Sequence, residues 1–157
     1  MPRALVVDDS ADQVLLLQRF LNPDGYDVIV DDSGRDAFDL CVSGRPDVVL
    51  LDVELPAIDG LTICRRLKAA VETRLTPVLI MTGFASSDIC VKALEACADD
   101  FLPKPIVFPE LRARMRSAVQ MKAYVDELDN VAASILMLGA TIEARDRSTE
   151  GALSTSR

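Results

Sequence analysis

The chain has 157 residues, enough for one domain with a substantial core and an appended element. Half of its residues are hydrophobic, only 4% are aromatic and none is Trp, which excludes a disordered chain and calls for an aliphatic core. A net charge of −8, with no basic cluster longer than Arg65-Arg66, argues against nucleic acid as a partner, because phosphate contacts need a basic face.

Short apolar runs alternate with amphipathic segments along the chain. The first run, Ala4–Val7, reads as a strand and ends at Asp8-Asp9. Ser10, with Gln13 three residues on, forms a capping box for a helix over Ala11–Leu21, in which Leu15, Leu16, Gln18, Arg19 and Phe20 give one apolar and one wet face. Asn22-Pro23-Asp24-Gly25 is a turn. A second strand covers Tyr26–Val30, and Ser33 is a candidate N-cap for a helix over Arg35–Val42. The third strand, Val48–Leu51, ends at Asp52, and a helix over Leu61–Val71 follows, with Asp59 available as an ordinary cap. The fourth, Val78–Met81, ends at Thr82 and precedes a helix over Asp88–Ala96 capped by Ser86 or Ser87. The short fifth strand, Asp100–Leu102, leads to Lys104, and Pro109 fits the first turn of a last helix.

Five β-α units in about 120 residues predict an α/β fold with a doubly wound parallel sheet. Ligands of such sheets bind beyond the strand carboxyl ends. Every predicted strand except the second delivers polar residues there: Asp8, Asp9, Asp52, Thr82 and Lys104. Three close carboxylates ionise together only with a cation among them, and an all-oxygen set with few protein ligands suits Mg2+. A carboxylate beside Mg2+ can attack a phosphoryl group, with Lys104 and Thr82 holding the transferred oxygens. The set reads as a site that accepts a phosphoryl group on Asp52.

The residues that carry this pattern resemble a receiver domain of a two-component response regulator. The matching stretches are Leu5-Val6-Val7-Asp8-Asp9-Ser10, Leu50-Leu51-Asp52-Val53-Glu54-Leu55-Pro56 with Asp59-Gly60, Met81-Thr82-Gly83, and Asp100-Phe101-Leu102-Pro103-Lys104-Pro105. The resemblance implies a flavodoxin-like sheet of strand order 2-1-3-4-5. It makes Asp52 the phosphoacceptor, fed by a sensor histidine kinase or a phosphotransfer protein. It assigns Mg2+ to Asp8, Asp9, Asp52 and the backbone carbonyl of Glu54, and the phosphoryl oxygens to Thr82 and Lys104. Thr82 and Phe101 become the switch pair, although Phe101 also reads as a plain core aromatic of the last strand. Lys104–Pro105 resembles a cis-proline bond of the family, and X–Pro bonds adopt cis at little cost. Pro56 and Gly60 shape the loop after the third strand. Glu54 and Phe84 border the path of attacking water in that family, so a phospho-state lasting many minutes or longer is expected.

A second pattern begins beyond Phe108. From Glu110 to about Arg145 there is no Pro, and Gly139 is the only Gly. Ala118, Met121, Val125, Leu128, Ala132, Ile135, Gly139 and Ile142 recur at spacings of three and four, a heptad seam that Val131, Leu136 and Leu138 widen. Val125, Leu128, Ala132, Ile135 and Ile142 are expected to form the seam of a parallel homodimer. The stretch Ile142-Glu143-Ala144-Arg145-Asp146-Arg147-Ser148-Thr149-Glu150-Gly151 resembles the approach to an HD-GYP phosphodiesterase domain. That family's metal-binding His is absent: Ala152 follows, and the chain has no His.

The expected organisation is a receiver domain over 1–123, a helical coiled-coil linker over 124–147 and a disordered tail over 148–157. The chain is read as the receiver-plus-linker part of a longer regulator of HD-GYP type, whose downstream effector domain it lacks. It is expected to act as a switch and not as a turnover enzyme. Two alternatives stand beside this: an Mg2+-dependent aspartate-nucleophile phosphohydrolase, and a stand-alone dimeric receiver scaffold. With no signal peptide, no run long enough for a membrane span, and no zinc-type pairing of Cys41, Cys64, Cys90 and Cys97, a reduced cytoplasmic protein is expected, its thiols buried on helices.

Overall fold

The computed structural model describes residues 1–83, 87–96 and 98–155. In chain order the elements are β1 (Arg3–Val7), α1 (Ala11–Leu21), β2 (Asp27–Asp31), α2 (Ala37–Gly44), β3 (Val48–Asp52), α3 (Gly60–Ala69), β4 (Val78–Thr82), α4 (Ser87–Glu95), β5 (Asp100–Pro103) and α5 (Phe108–Thr155). The strands pair in parallel in the order β2-β1-β3-β4-β5. This is the doubly wound, flavodoxin-like order that the sequence implies.

Strands covered on both faces need unbroken apolar runs, not alternation. β3 and β4 are buried at every residue, whereas the edge strands β2 and β5 are only partly covered. The period of two then divides each strand between two cores. Leu5, Val7, Val49, Leu51, Val78 and Ile80 pack with Ala37, Cys41, Leu61, Cys64, Leu67 and Ala93 from α2, α3 and α4. Ala4, Val6, Val48, Leu50, Leu79 and Met81 pack with Leu17, Leu21, Leu111 and Met115 from α1 and α5. Three helices therefore cover one face and two the other.

Local chemistry sets the helix ends, with several departures from the sequence reading. Ser10 caps α1, its Oγ accepting the Gln13 N–H at 3.3 Å. The reciprocal half of the box is not made, because the Ser10 N–H donates to Asp8 Oδ1 at 2.9 Å; a carboxylate is the stronger acceptor. The buried face of α1 is Leu17 and Leu21, while Leu15 and Leu16 are about half exposed. Ser33 is not the cap of α2, which begins after Asp36. Ser33 donates its N–H and its hydroxyl to Asp31 Oδ1, each at 3.0 Å, and the Asp36 N–H reaches Asp31 Oδ2 at 3.2 Å. Asp59 does cap α3, accepting the Leu61 N–H at 3.2 Å. Ser87 is the first residue of α4, and Ser86 lies outside the described residues. Cys41 and Cys64 are buried on α2 and α3, Cys90 is half-buried on α4, and Cys97 lies outside the described residues.

Gly60, the first residue of α3, is required by a close approach. A Cβ there would stand 2.3 Å from the Asp52 carbonyl oxygen and 2.8 Å from the Val53 Cα. Its N–H donates to the Val53 carbonyl at 3.3 Å. The missing side chain thus lets α3 start directly against the end of β3.

The chain divides into two units, Met1–Lys122 and Ala123–Arg157. The first holds the sheet, α1 to α4 and the opening turns of α5, where Leu111 and Met115 are fully buried. The second is helical from its first residue to Thr155, which includes residues 148–155 that the sequence assigns to a disordered tail. The hydroxyls there bond within the helix: Ser148 Oγ to the Ala144 carbonyl and Thr149 Oγ1 to the Arg145 carbonyl, both at 3.0 Å. Among the described residues, no helix is long and apolar enough to cross a membrane.

Gly60→Ala is expected to destabilise the fold by about 1–3 kcal/mol or more, because the Cβ meets backbone that cannot swing aside. Urea denaturation of the wild type and variant measures this directly. An unchanged midpoint would mean that α3 can start elsewhere.

Candidate functional site

The parallel register brings the carboxyl ends of four strands to one edge. Val7 pairs with Leu51, Asp52 with Met81, and Thr82 with Pro103. Between β1 and β3 the chain order reverses, which is the switch point where sheets of this kind bind ligands.

Asp8 follows β1 and is fully buried. Its N–H donates to the Asp31 carbonyl at 3.1 Å, and its Oδ1 accepts the Ser10 N–H. Its Oδ2 is buried without a hydrogen-bond partner, with Lys104 Nζ standing off at 3.7 Å. Asp9 beside it is exposed. Asp52 closes β3 and is 3% exposed; its Oδ1 accepts the Glu54 N–H at 3.0 Å and its Oδ2 lies 3.1 Å from Lys104 Nζ. Carboxylate oxygens of Asp8, Asp9 and Asp52 all lie within 4.8 Å of one another.

Thr82 is buried at the end of β4, and its carbonyl accepts the Lys104 N–H at 2.7 Å. That bond fixes the chain at the start of the β5–α5 loop, where the Lys104–Pro105 bond is cis. Phe101 is half-buried on β5 and packs on the core of α2, α3 and α4. Glu54 is exposed, and its side chain accepts the Gly83 N–H at 3.2 Å. Phe84 lies outside the described residues.

The electrostatics follow from this burial. Desolvation raises the Asp8 carboxyl above its ordinary value. The Ser10 N–H and the Lys104 ammonium oppose that rise, and the charges of Asp52 and Asp9 add to it. An unpartnered, dry carboxylate oxygen among other carboxylates is a costly arrangement unless a cation completes it. With all-oxygen donors and one exposed member, the set fits a hard divalent ion that keeps several waters.

Two site features escaped the sequence reading. β2 also ends on a buried carboxylate, Asp31, at 4% exposure. Its oxygens are taken by Ser33 and Asp36, and it is not a member of the oxygen cluster. The turn chemistry of Asp31-Asp32-Ser33-Gly34 was the available signal. The Glu54–Gly83 contact had none, since it joins loops 29 positions apart in sequence.

Residues 4–116 match the response regulator receiver domain family. The response regulator MprA of Mycolicibacterium vanbaalenii is 44% identical over 118 residues, covering 75% of this chain and 50% of that protein. The chain thus spans about half the length of that curated relative. A putative response regulator from Chloroflexus aurantiacus superposes with a TM-score of 0.73 at 32% identity, covering 76% of this chain and 99% of that one. The receiver domain of a Pseudomonas aeruginosa sensor histidine kinase, solved with a magnesium ion coordinated in its active-site cleft, gives 0.71 at 26% identity over 76% of this chain and 98% of its own. The chain belongs to the response regulator receiver domain family, whose members are phosphorylation-dependent switches of two-component signalling.

Proposed function

We propose that Asp52 is the phosphoacceptor of this receiver, with Mg2+ held by Asp8, Asp9, Asp52 and the Glu54 carbonyl. The observation that carries the reading is the buried Asp52 carboxylate between Lys104 Nζ, 3.1 Å away, and the orphaned Asp8 oxygen. A bound Mg2+ would offset the carboxylate charge and polarise the phosphoryl oxygens. An Asp52 oxygen attacks phosphorus as the bond to the donor breaks, and the electron pair leaves on the donor's oxygen or nitrogen. Lys104 and Thr82 then serve the transferred oxygens. The donor is a sensor histidine kinase or a phosphotransfer protein, and Thr82 with Phe101 passes the change on. Turnover of free phosphomonoesters is not part of this role. Residues beyond about 123 serve as a helical linker towards an effector domain.

We also infer that a second copy of the chain covers this linker. Tyr124, Leu128, Val131, Ile135, Leu138 and Ile142 recur at four and three, and each is at least half exposed. They share Leu128, Ile135 and Ile142 with the seam read from sequence but replace Val125, Ala132 and Gly139 by larger side chains. Each apolar side chain of this size gains roughly 1.5–3 kcal/mol on burial, so the larger row is the better seam.

Three outcomes are expected. With acetyl phosphate and Mg2+, intact mass should show one phosphoryl group on the wild type and none on Asp52→Asn; equal labelling of both would defeat the assignment. Asp8 gives a pH-dependent signature. Because its carboxyl is raised above the ordinary 3.8, the native state holds that proton more tightly than the unfolded chain does. Its contribution to stability is therefore best at low pH and declines as pH rises from 3.8 through the native value. Asp8→Asn should remove the decline and stabilise the metal-free chain by about 1–3 kcal/mol at neutral pH. Mg2+ should raise the Tm of the wild type and not of Asp8→Asn; a variant less stable than the wild type without metal would contradict this. In sedimentation equilibrium, Val131→Asp should weaken the dimer roughly tenfold or more, and further than Ala132→Asp does. The reverse order would restore the smaller seam, and a monomeric wild type at high micromolar concentration would remove the dimer.

A further inference from the structure

The role of Asp52 leaves the Glu54 side chain unexplained. Its carboxylate sits on the N–H of Gly83, with Oε1 3.2 Å from the nitrogen. Gly83 is the first residue beyond β4 and directly follows Thr82. A Cβ on Gly83 would stand 3.3 Å from the same Glu54 oxygen, a tight contact that the exposed carboxylate relieves by shifting a few tenths of an ångström. At its other end Glu54 is tied to the acceptor, since its own N–H donates to Asp52 Oδ1 at 3.0 Å. One residue thus links the loop after β3 to the loop after β4 at the mouth of the site.

An amide at a strand end, pointing away from the ladder, is a ready donor for an anion. Here an anion of the same chain already occupies it. A phosphoryl group on Asp52 brings three oxygens; Lys104 and the Thr82 hydroxyl can each serve one. The next donor along the chain from Thr82 is the Gly83 N–H.

We propose that the Glu54 carboxylate is a resident stand-in for the phosphoryl group: it holds the Gly83 amide in the resting chain and is displaced from it on phosphorylation. The proposal rests on Asp52 as the acceptor. Two anions competing for one N–H repel at short range, and a bond divided between them is weaker for each. Glu54 is exposed, so its carboxylate can leave for water. The Glu54 side chain is a positioning group: its backbone N–H meets Asp52 Oδ1, but its carboxylate touches the loop and not the reacting atoms. Its departure frees the loop after β4 from the loop after β3 at the moment the phosphoryl group takes over the amide. The exchange makes Glu54 a brake on phosphorylation and gives the Gly83 amide a distinct partner in each state.

The full chain and the variants Glu54→Ala, Glu54→Gln and Gly83→Ala test this. In the resting chain, the nuclear magnetic resonance signal of the Gly83 amide should move and its hydrogen exchange should quicken in Glu54→Ala. Glu54→Gln should restore both, because its amide oxygen still accepts. After acetyl phosphate and Mg2+, the Gly83 resonance should reach the same position in the wild type and Glu54→Ala. The rate of Asp52 labelling, followed by intact mass, should rise roughly three- to tenfold in Glu54→Ala, the net worth of one ordinary hydrogen bond, since solvent at this exposed site screens the charge. Gly83→Ala keeps the amide and shifts the carboxylate only slightly, so its labelling rate should lie between those of the wild type and Glu54→Ala; a rate above that of Glu54→Ala would overturn the displacement. An identical resting Gly83 signal in the wild type and Glu54→Ala would overturn the contact. Labelling in Glu54→Ala no faster than in the wild type would overturn the displacement while leaving Asp52 as acceptor. No label on any of the proteins would overturn the acceptor and the displacement together.

Discussion

Asp8, Asp9 and Asp52 crowd their carboxylates within 4.8 Å at a sheet edge where Lys104 supplies the facing positive charge. Lys104 is closer to Asp52 than to Asp8, at 3.1 Å against 3.7 Å, so the deeper carboxylate is the less neutralised. Asp8 Oδ2 is buried with no hydrogen bond, which is the costliest state for such an atom. Folding alone gives no reason to keep that arrangement: an amide of the same shape would be cheaper. Under the proposed function, the unbalanced charge is a receptacle for a cation, and that cation would make an anionic phosphoryl group acceptable beside Asp52.

The rest of the fold holds that charge still. Aliphatic strands buried on both faces leave the central strands no freedom of register. Their ends therefore deliver Asp52 and Thr82 to fixed positions, and the Lys104–Thr82 backbone bond ties the ammonium to the same frame. Gly60 lets α3 begin against the backbone of Asp52 and Val53. Glu54 and Gly83 lie just past the ends of β3 and β4, where one hydrogen bond joins them.

The sheet was legible in the sequence because β1, β3 and β4 are unbroken apolar runs closed by a polar residue, whereas β5, Asp100-Phe101-Leu102-Pro103, carries the least signal. Asp8, Asp9, Asp52, Thr82 and Lys104 were legible for the same reason. What was missed depends on which partner wins a competition. Ser33 looks like a cap, yet the buried carboxylate of Asp31 takes its N–H and hydroxyl first. Leu15 and Leu16 look like core, yet the helix turns Leu17 and Leu21 inward. Composition does not reveal that Glu54 reaches Gly83, because the contact needs the sheet to exist first. The linker seam is ambiguous in sequence since two rows share Leu128, Ile135 and Ile142, and only side-chain size separates them.

Calorimetric titration with beryllofluoride, a stable mimic of a phosphoryl group, tests the receptacle most directly. Stoichiometric binding is predicted in the presence of Mg2+, no binding without it, and none to Asp52→Asn in either condition. Binding of the same strength without Mg2+, or to a chain lacking the Asp52 carboxylate, would contradict the view that this charge cluster exists to hold a cation and a phosphoryl group together.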